Sequence, residues 1–339
     1  MTQTELPVYK AKDFASEQDV RWCPGCGDYA VLTAVRKALP KMSRRKEDFV
    51  FVSGIGCAER FPYYVDTYGL HTIHGRAPAF ATGVKLANPD LEVWVVSGDG
   101  DLLSIGGNHT LHVMRRNVNI NVILLNNRIY GLTKGQYSPT SETGKVTKST
   151  PMGSPDHPVN PISFAIGAGC TFMARCIDVD VAMLESLMQQ AAAHPGFSFI
   201  EVYQDCNIYN HKAWFYASQK DTRDETTIKV EHGKPMIFAG GTKGIRQNGS
   251  RLEIVEIGRD ASESDLLVHD AHDRIHSYML SRMRYPDLPE PMGVLYVDDD
   301  AIAYEHVVEA QMKQAVEQHG PGDLGALIAE GDTWTVDDE

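Results

Sequence analysis

No stretch of the 339 residues approaches the run of roughly 18 apolar residues that a membrane-crossing helix needs. The longest apolar runs, Val93–Val96 and Val122–Leu125, are only strand-sized. Positive charge is short as well: Lys plus Arg number 32 against 45 for Asp plus Glu, a formal net charge of −13. That balance argues against a nucleic-acid footprint or attraction to an anionic membrane surface. The opening Met1-Thr2-Gln3-Thr4-Glu5 lacks the basic and apolar regions of a signal peptide, so a cytoplasmic location is expected. Cysteine is sparse, six in all, and in a reducing compartment these are not expected to form a disulfide framework. They need another use. Hydrophobic residues make up 42%, enough to bury a sizeable core in one large α/β domain or in a core domain with an extension.

From about residue 25 to 205, helical patterns alternate with short β-branched runs. Phe49–Ser53, Glu92–Ser97, Asn119–Leu125 and Phe197–Tyr203 read as buried parallel strands, apolar almost throughout. Helices are predicted at Tyr29–Leu39, Ala79–Ala87, Asp101–Arg116 and Val181–Ala193, and a further strand at Gly167–Ala174. This alternation predicts a doubly wound parallel sheet in an α/β fold. The expected division is an N-terminal arm (1–20), a core domain (21–210) and a C-terminal extension (211–339) that packs on the core or on a partner. In the extension Lys220–Glu225 reads as a solvated loop, Arg251–Ile257 as an edge strand and Ile302–Gln318 as a helix. Pro286, Pro289 and Pro291 read as an extended connection, and Asp298–Asp300 and Asp337–Glu339 as solvated acid.

The sharpest signal is Gly98-Asp99-Gly100 followed by Asn126-Asn127. Asp99 ends one predicted strand and Asn127 ends the next, 28 residues later. A right-handed crossover makes these strands parallel, with both ends on one sheet edge; adjacent strands place them roughly 5 Å apart. An aspartate and an asparagine at that separation can share one hard cation, with a carbonyl such as that of Ile129 nearby, and Mg²⁺ held this way keeps positions open for phosphate oxygens. A lone Gly-Asp-Gly is more simply a turn; the paired strand ends favour the site. The pattern resembles the thiamine diphosphate enzymes, in which such an Asp, the second Asn and a carbonyl two residues on hold the Mg²⁺ diphosphate.

Trp22-Cys23-Pro24-Gly25-Cys26-Gly27 places a Cys-x-x-Cys in a turn before a helix: a redox dithiol, half a zinc site or half an iron–sulfur site. Cys57 follows a predicted strand in Gly54-Ile55-Gly56-Cys57. Cys170 and Cys176 lie in an apolar, strand-like stretch where cysteine is usually a small buried hydrophobe. Cys206, in the polar loop after Tyr203, is the better fourth ligand.

Together these features resemble the beta subunit of the 2-oxoacid:ferredoxin oxidoreductases. The resemblance covers Trp22 to about Asn210, through Cys-Pro-Gly-Cys-Gly at 23–27, Gly-Ile-Gly-Cys at 54–57, His-Thr-Ile-His-Gly-Arg-Ala at 71–77, Gly-Asp-Gly-Asp at 98–101 and Asn-Asn-x-Ile-Tyr-Gly at 126–131. The tail is similar to the long 2-oxoglutarate-type subunit at His232–Pro235, Gly244–Arg246 and Leu267–Asp270. The resemblance implies thiamine diphosphate, Mg²⁺ held at Asp99, Asn127 and Ile129, and one [4Fe–4S] cluster on Cys23, Cys26, Cys57 and Cys206. It implies cofactor contacts at Ile55, Gly56, Cys57, Ala58, His74, Gly75, Arg76, Gly98, Asp99, Gly100, Asp101, Asn127, Gly131 and Leu132. Arg60 and Lys134 would direct cations at the substrate or diphosphate. Structural ion pairs for Arg60 and Arg76, a core role for His74 and a solvated loop for Lys134 are the plain alternatives.

The implied reaction converts a 2-oxoacid, favoured as 2-oxoglutarate, with coenzyme A and oxidised ferredoxin to acyl-CoA, CO₂ and reduced ferredoxin. It also implies an alpha subunit, in a heterodimer or a dimer of heterodimers, that supplies the second thiamine-binding domain. Rival readings are a pyruvate or branched-chain relative, a non-redox thiamine diphosphate decarboxylase, and a zinc-stabilised binding module without catalysis.

Overall fold

In the computed structural model, residues 7–334 and 336 are described; Met1–Glu5 and Asp337–Glu339 lie outside them. An eight-stranded sheet runs in the order β2-β1-β3-β4-β6-β5-β11-β7. Its strands are β1 (Phe49–Ser53), β2 (Tyr68–His71), β3 (Glu92–Gly98), β4 (Asn121–Asn126), β5 (Phe172–Ile177), β6 (Ser198–Tyr203), β7 (Thr227–Val230) and β11 (Glu290–Val297). The pairings from β2 through β5 are all parallel. β11 joins β5 in the antiparallel sense and β7 joins β11 in parallel. A small antiparallel sheet of β8 (Ile237–Phe238), β9 (Lys243–Asn248) and β10 (Arg251–Glu256) packs outside, with β10 on its edge.

The central strands are apolar over most of their length because both faces are covered. Val50, Val52, Val93, Val95, Val122 and Leu124 face one hydrophobic layer with the helices Ala77–Ala87 and Gly107–Arg116. Phe49, Phe51, Trp94, Val96, Ile123 and Leu125 face the other, with Asp28–Ala38 and Val181–Ala193. Phe14, from the N-terminal arm, is buried edge-on against Phe49 at 5.9 Å.

Four expectations change. The strand predicted at Gly167–Ala174 lies at Phe172–Ile177, and Pro161–Gly167 is a helix instead, capped by the Asn160 side chain on the Ser163 N–H. The helix predicted at Asp101–Arg116 is broken into a π-turn (Asp101–Ile105) and an α-helix from Gly107, where Gly106 meets the backbone of Gly75. Lys220–Thr226 is a short helix rather than a loop; the Thr222 and Thr226 hydroxyls donate to the Tyr216 carbonyl. Pro291 belongs to β11 rather than to a connection. The boundary near residue 210 marks a change of composition, not an edge of the sheet: the extension supplies β7 and β11 to it. Among the described residues, no helix is long and apolar enough to cross a membrane.

Candidate active site

Parallel strands deliver their carboxyl ends to one edge, so the segments after β1, β3 and β4 converge. They enclose a cavity of about 430 Å³. Ile55, Gly56, Cys57, Ala58, His74, Gly98, Asp99, Gly100, Asp101, Asn127, Ile129, Gly131 and Leu132 line it, together with Glu59, Tyr130, Thr133 and Gln136, which the sequence did not single out. Gly75, Arg76, Arg60 and Lys134 are not part of the lining.

Asp99 is buried at the end of β3. Its Oδ2 accepts hydrogen bonds from the hydroxyls of Ser138 and of Thr140, the latter at 2.5 Å. Burial pushes its carboxyl up to about 6, and the two hydroxyls oppose the shift. The Thr140 hydroxyl also reaches Asn126 Oδ1 at 2.9 Å. Asn127 begins the next turn, where its Oδ1 accepts the Ile129 N–H at 3.1 Å. Asn210 donates to the carbonyls of Asn127 and Arg128, Ser141 donates to that of Arg128, and the Trp214 indole N–H donates to that of Asn126. The turn is therefore fixed from outside the cavity, leaving Asp99, Asn127 and Ile129 together on its wall.

Asp101 ties the loops to one another. Its Oδ1 accepts the N–H groups of Ile55 (3.1 Å) and Gly75 (2.7 Å) and lies 2.6 Å from His74 Nδ1, while Oδ2 accepts the Ser97 hydroxyl at 2.8 Å. His74 Nδ1 also faces the Ile55 carbonyl at 3.2 Å. Both partners are acceptors, so Nδ1 carries the proton and Nε2 is left over. Glu59 is buried beside this knot, and burial together with neighbouring Asp101 pushes its carboxyl up to about 8.

The remaining cations lie outside the lining. Arg60 donates to the Tyr64 hydroxyl at 2.7 Å and lies over the Tyr63 and Tyr64 rings, so its partners are aromatic rather than an ion pair. Arg76 donates to the Ile105 carbonyl at 3.3 Å. Lys134 is exposed on the rim, in the left-handed region at φ 76°.

Three loop segments gather Cys23, Cys26, Cys57 and Cys206. Gly27 N–H donates to the Asp205 carbonyl (3.2 Å), Asn207 Nδ2 to that of Pro24 (2.7 Å) and Trp22 Nε1 to that of Cys57 (2.6 Å). Gly131 leaves room between two of the sulfurs: a Cβ there would stand 3.5 Å from Cys57 Sγ and 3.6 Å from Cys206 Sγ. Burial and nearby Asp28 push the Cys57 thiol up to about 12 and raise Cys26 further, an environment lacking the positive charge that stabilises thiolates. Cys170 and Cys176 are fully buried, apart from this group. Among the described residues, no group of three or more His, Cys, Asp or Glu is placed to hold a single metal ion, as a zinc-stabilised module requires.

Residues 54–202 match the model of the C-terminal TPP binding domain of thiamine pyrophosphate enzymes. The chain is 49% identical over 333 residues to the 2-oxoglutarate oxidoreductase subunit KorB of Mycobacterium tuberculosis, covering 97% of this chain and 89% of that one. It is 44% identical over 188 residues to the 2-oxoglutarate synthase subunit KorB of Methanocaldococcus jannaschii, covering 56% and 70% of the two chains. Among solved structures, it superposes with TM-score 0.76 and 32% identity, over 96% of this chain and 97% of the other, on a 2-oxoglutarate:ferredoxin oxidoreductase from Magnetococcus marinus with 2-oxoglutarate, coenzyme A and succinyl-CoA bound. The fold, the thiamine-binding domain and the near full-length match agree: this chain belongs to the beta-subunit family of the 2-oxoacid:ferredoxin oxidoreductases.

Proposed function

We propose that the chain, with an alpha subunit, converts 2-oxoglutarate, coenzyme A and oxidised ferredoxin to succinyl-CoA, CO₂ and reduced ferredoxin, reversibly. The observation that carries this reading is the placement of Asp99 and Asn127 on neighbouring strand ends, facing a cavity that Cys57 also lines. Thiamine diphosphate, when bound, supplies the carbanion for decarboxylation, and a cysteine-bound cluster accepts the two electrons singly. Asp99, the Asn127 side chain and the Ile129 carbonyl are the oxygen donors for Mg²⁺, a set of hard ligands that leaves positions for phosphate. Cys23, Cys26, Cys57 and Cys206 are the thiolate ligands of one [4Fe–4S] cluster, and the gap at Gly131 is consistent with a group seated between sulfurs. Asp101 fixes the tautomer of His74 and leaves Nε2 to exchange protons with substrate.

Anaerobic co-purification with the alpha subunit, followed by coenzyme-A-dependent dye reduction across a panel of 2-oxoacids, tests this. 2-Oxoglutarate is expected to be fastest. A preference for pyruvate would replace the substrate, and failure with every 2-oxoacid would overturn the reading.

A further inference from the structure

Asn210 grips the cavity turn after β4 while belonging to the segment that carries Cys206. It is buried, and its Nδ2 donates to the carbonyls of Asn127 at 2.9 Å and Arg128 at 3.1 Å. Its Oδ1 accepts from Lys145 Nζ. Carbonyl oxygens only accept, so the orientation of the amide is fixed. The two carbonyls flank the backbone of Arg128, which lies in the left-handed region at φ 57°. A residue with a Cβ holds that conformation at a cost, and Asn210 is bonded to the peptide on each side of it. The Asn210 N–H in turn donates to the Cys206 carbonyl at 3.0 Å. Burial raises the Cys206 thiol, and the N–H groups of Tyr209, Ile208 and Asn210 oppose the rise.

The short segment 206–210 thus joins two sites. At one end is a cysteine assigned above to the cluster; at the other is the support of the turn that brings Asn127 and Ile129 to the cavity wall. The same turn meets the cysteines again at Gly131, beside the Cys57 and Cys206 sulfurs. A group held by Cys206 fixes this segment, and the fixed segment holds the turn in its strained form. Whichever ligand arrives second then finds its site already ordered, and such coupling acts equally in both directions. On the cofactor reading given above, we infer that Asn210 is a positioning residue through which the cysteine-bound cluster and Mg²⁺–thiamine diphosphate strengthen each other's binding.

The test uses the complex with its alpha subunit, stripped of thiamine diphosphate and prepared both with its iron and with the iron removed by a chelator. Each form is titrated by calorimetry with thiamine diphosphate in the presence of Mg²⁺. The unsubstituted complex should bind about tenfold or more weakly without iron. Asn210→Ala should bind weakly in both forms and lose most of that difference. Trp214→Phe removes the other outside support, the indole N–H on the Asn126 carbonyl; it should weaken both forms and keep the difference. In the reverse direction, saturating Mg²⁺–thiamine diphosphate should slow iron removal from the unsubstituted complex but not from Asn210→Ala. Should Asn210→Ala fail to assemble, Lys145→Met, which removes only the bond to Asn210 Oδ1, carries the same comparison in milder form. Equal affinities of the two unsubstituted forms would overturn the inference. A difference that survives in Asn210→Ala would place the coupling at the Cys57 wall, and its loss in Trp214→Phe as well would make Asn210 a general prop; either result also overturns it. Failure of the unsubstituted complex to hold iron or thiamine diphosphate would instead overturn the cofactor reading itself.

Discussion

Asp99 depends on two hydroxyls that lie 39 and 41 residues further along the chain. Asp99→Ala is expected to abolish Mg²⁺-dependent thiamine diphosphate binding while leaving the cluster absorbance intact. Thr140→Val removes a hydroxyl shared by Asp99 and Asn126 and should cost roughly 1–3 kcal/mol, read as about five- to 150-fold weaker cofactor binding in a calorimetric titration. Iron analysis separates the cysteines: Cys206→Ser should lower iron content, whereas Cys170→Ser, at a sulfur buried against the Phe172 carbonyl at 3.2 Å, should leave it unchanged. For Lys134, on the cavity rim, Lys134→Met should lower kcat/KM for 2-oxoglutarate by about one to two decades and spare an uncharged 2-oxoacid of similar length. An equal loss on both would remove its assignment to the distal carboxylate. Asp99 and Asn127 were legible because strand ends follow from apolar runs, and their spacing then fixes a neighbour. Glu59, Ser138 and Thr140 were not, since their roles arise from loop paths that carry no periodicity. Arg60 misled for a related reason: its two tyrosines are three and four residues away on one helical turn, and they hold it outside.

The last residue of β4, Asn126, and the first of the turn after it, Asn127, serve opposite purposes. Asn126 turns into the sheet, where its amide donates to Glu201 Oε1 at 2.8 Å, and Asn127 opens the cavity turn. Glu201, on β6, also accepts from Arg175 on β5 at 2.8 Å, and Arg175 lies 3.5 Å from Glu290 on β11. Tyr203 and Tyr216 donate to the same Glu290. Hydrogen bonds and two ion pairs thus link the cavity turn to the extension across four strands. Arg175 is fully buried, so Arg175→Met strands two buried carboxylates and should destabilise the fold by about 3–5 kcal/mol, measured by denaturant unfolding. A change under 1 kcal/mol would mean that the network contributes little. No sequence pattern announced this arrangement, because a polar residue inside an apolar strand identifies neither its face nor its partner. The strand predicted from Gly167 slips to 172–177 for a local reason: the helix Pro161–Gly167 ends only there, and Ala168 and Gly169, the latter at φ 81°, turn the chain before the strand starts.

The extension carries its own pH dependence. His269 Nε2 faces the Val294 carbonyl at 2.9 Å, so it holds the proton there, and its Nδ1 accepts from His276 Nε2 at 3.1 Å. Burial lowers His269 to about 4 from an ordinary 6.5. The unfolded chain therefore binds more protons between those values. The stabilisation is complete above pH 6.5 and is lost as pH falls through about 4, on the order of 2–3 kcal/mol. Melting temperatures at pH 7.5 and 5.0 should differ less in His269→Asn than in the unsubstituted protein; an identical difference would contradict this origin. Another consequence of the architecture concerns synthesis. All six cysteines have been made once residue 206 is added, yet β5 stays an open edge until β11 arrives to cover it, with Gly293 pairing Arg175 from 118 residues further along the chain. For that interval the nascent chain exposes its thiols and an unpaired apolar strand together, the combination most prone to wrong association. The closing of the sheet is thus timed by the position of β11, and until the last third of the chain is made the core built from its first two thirds carries an open strand edge.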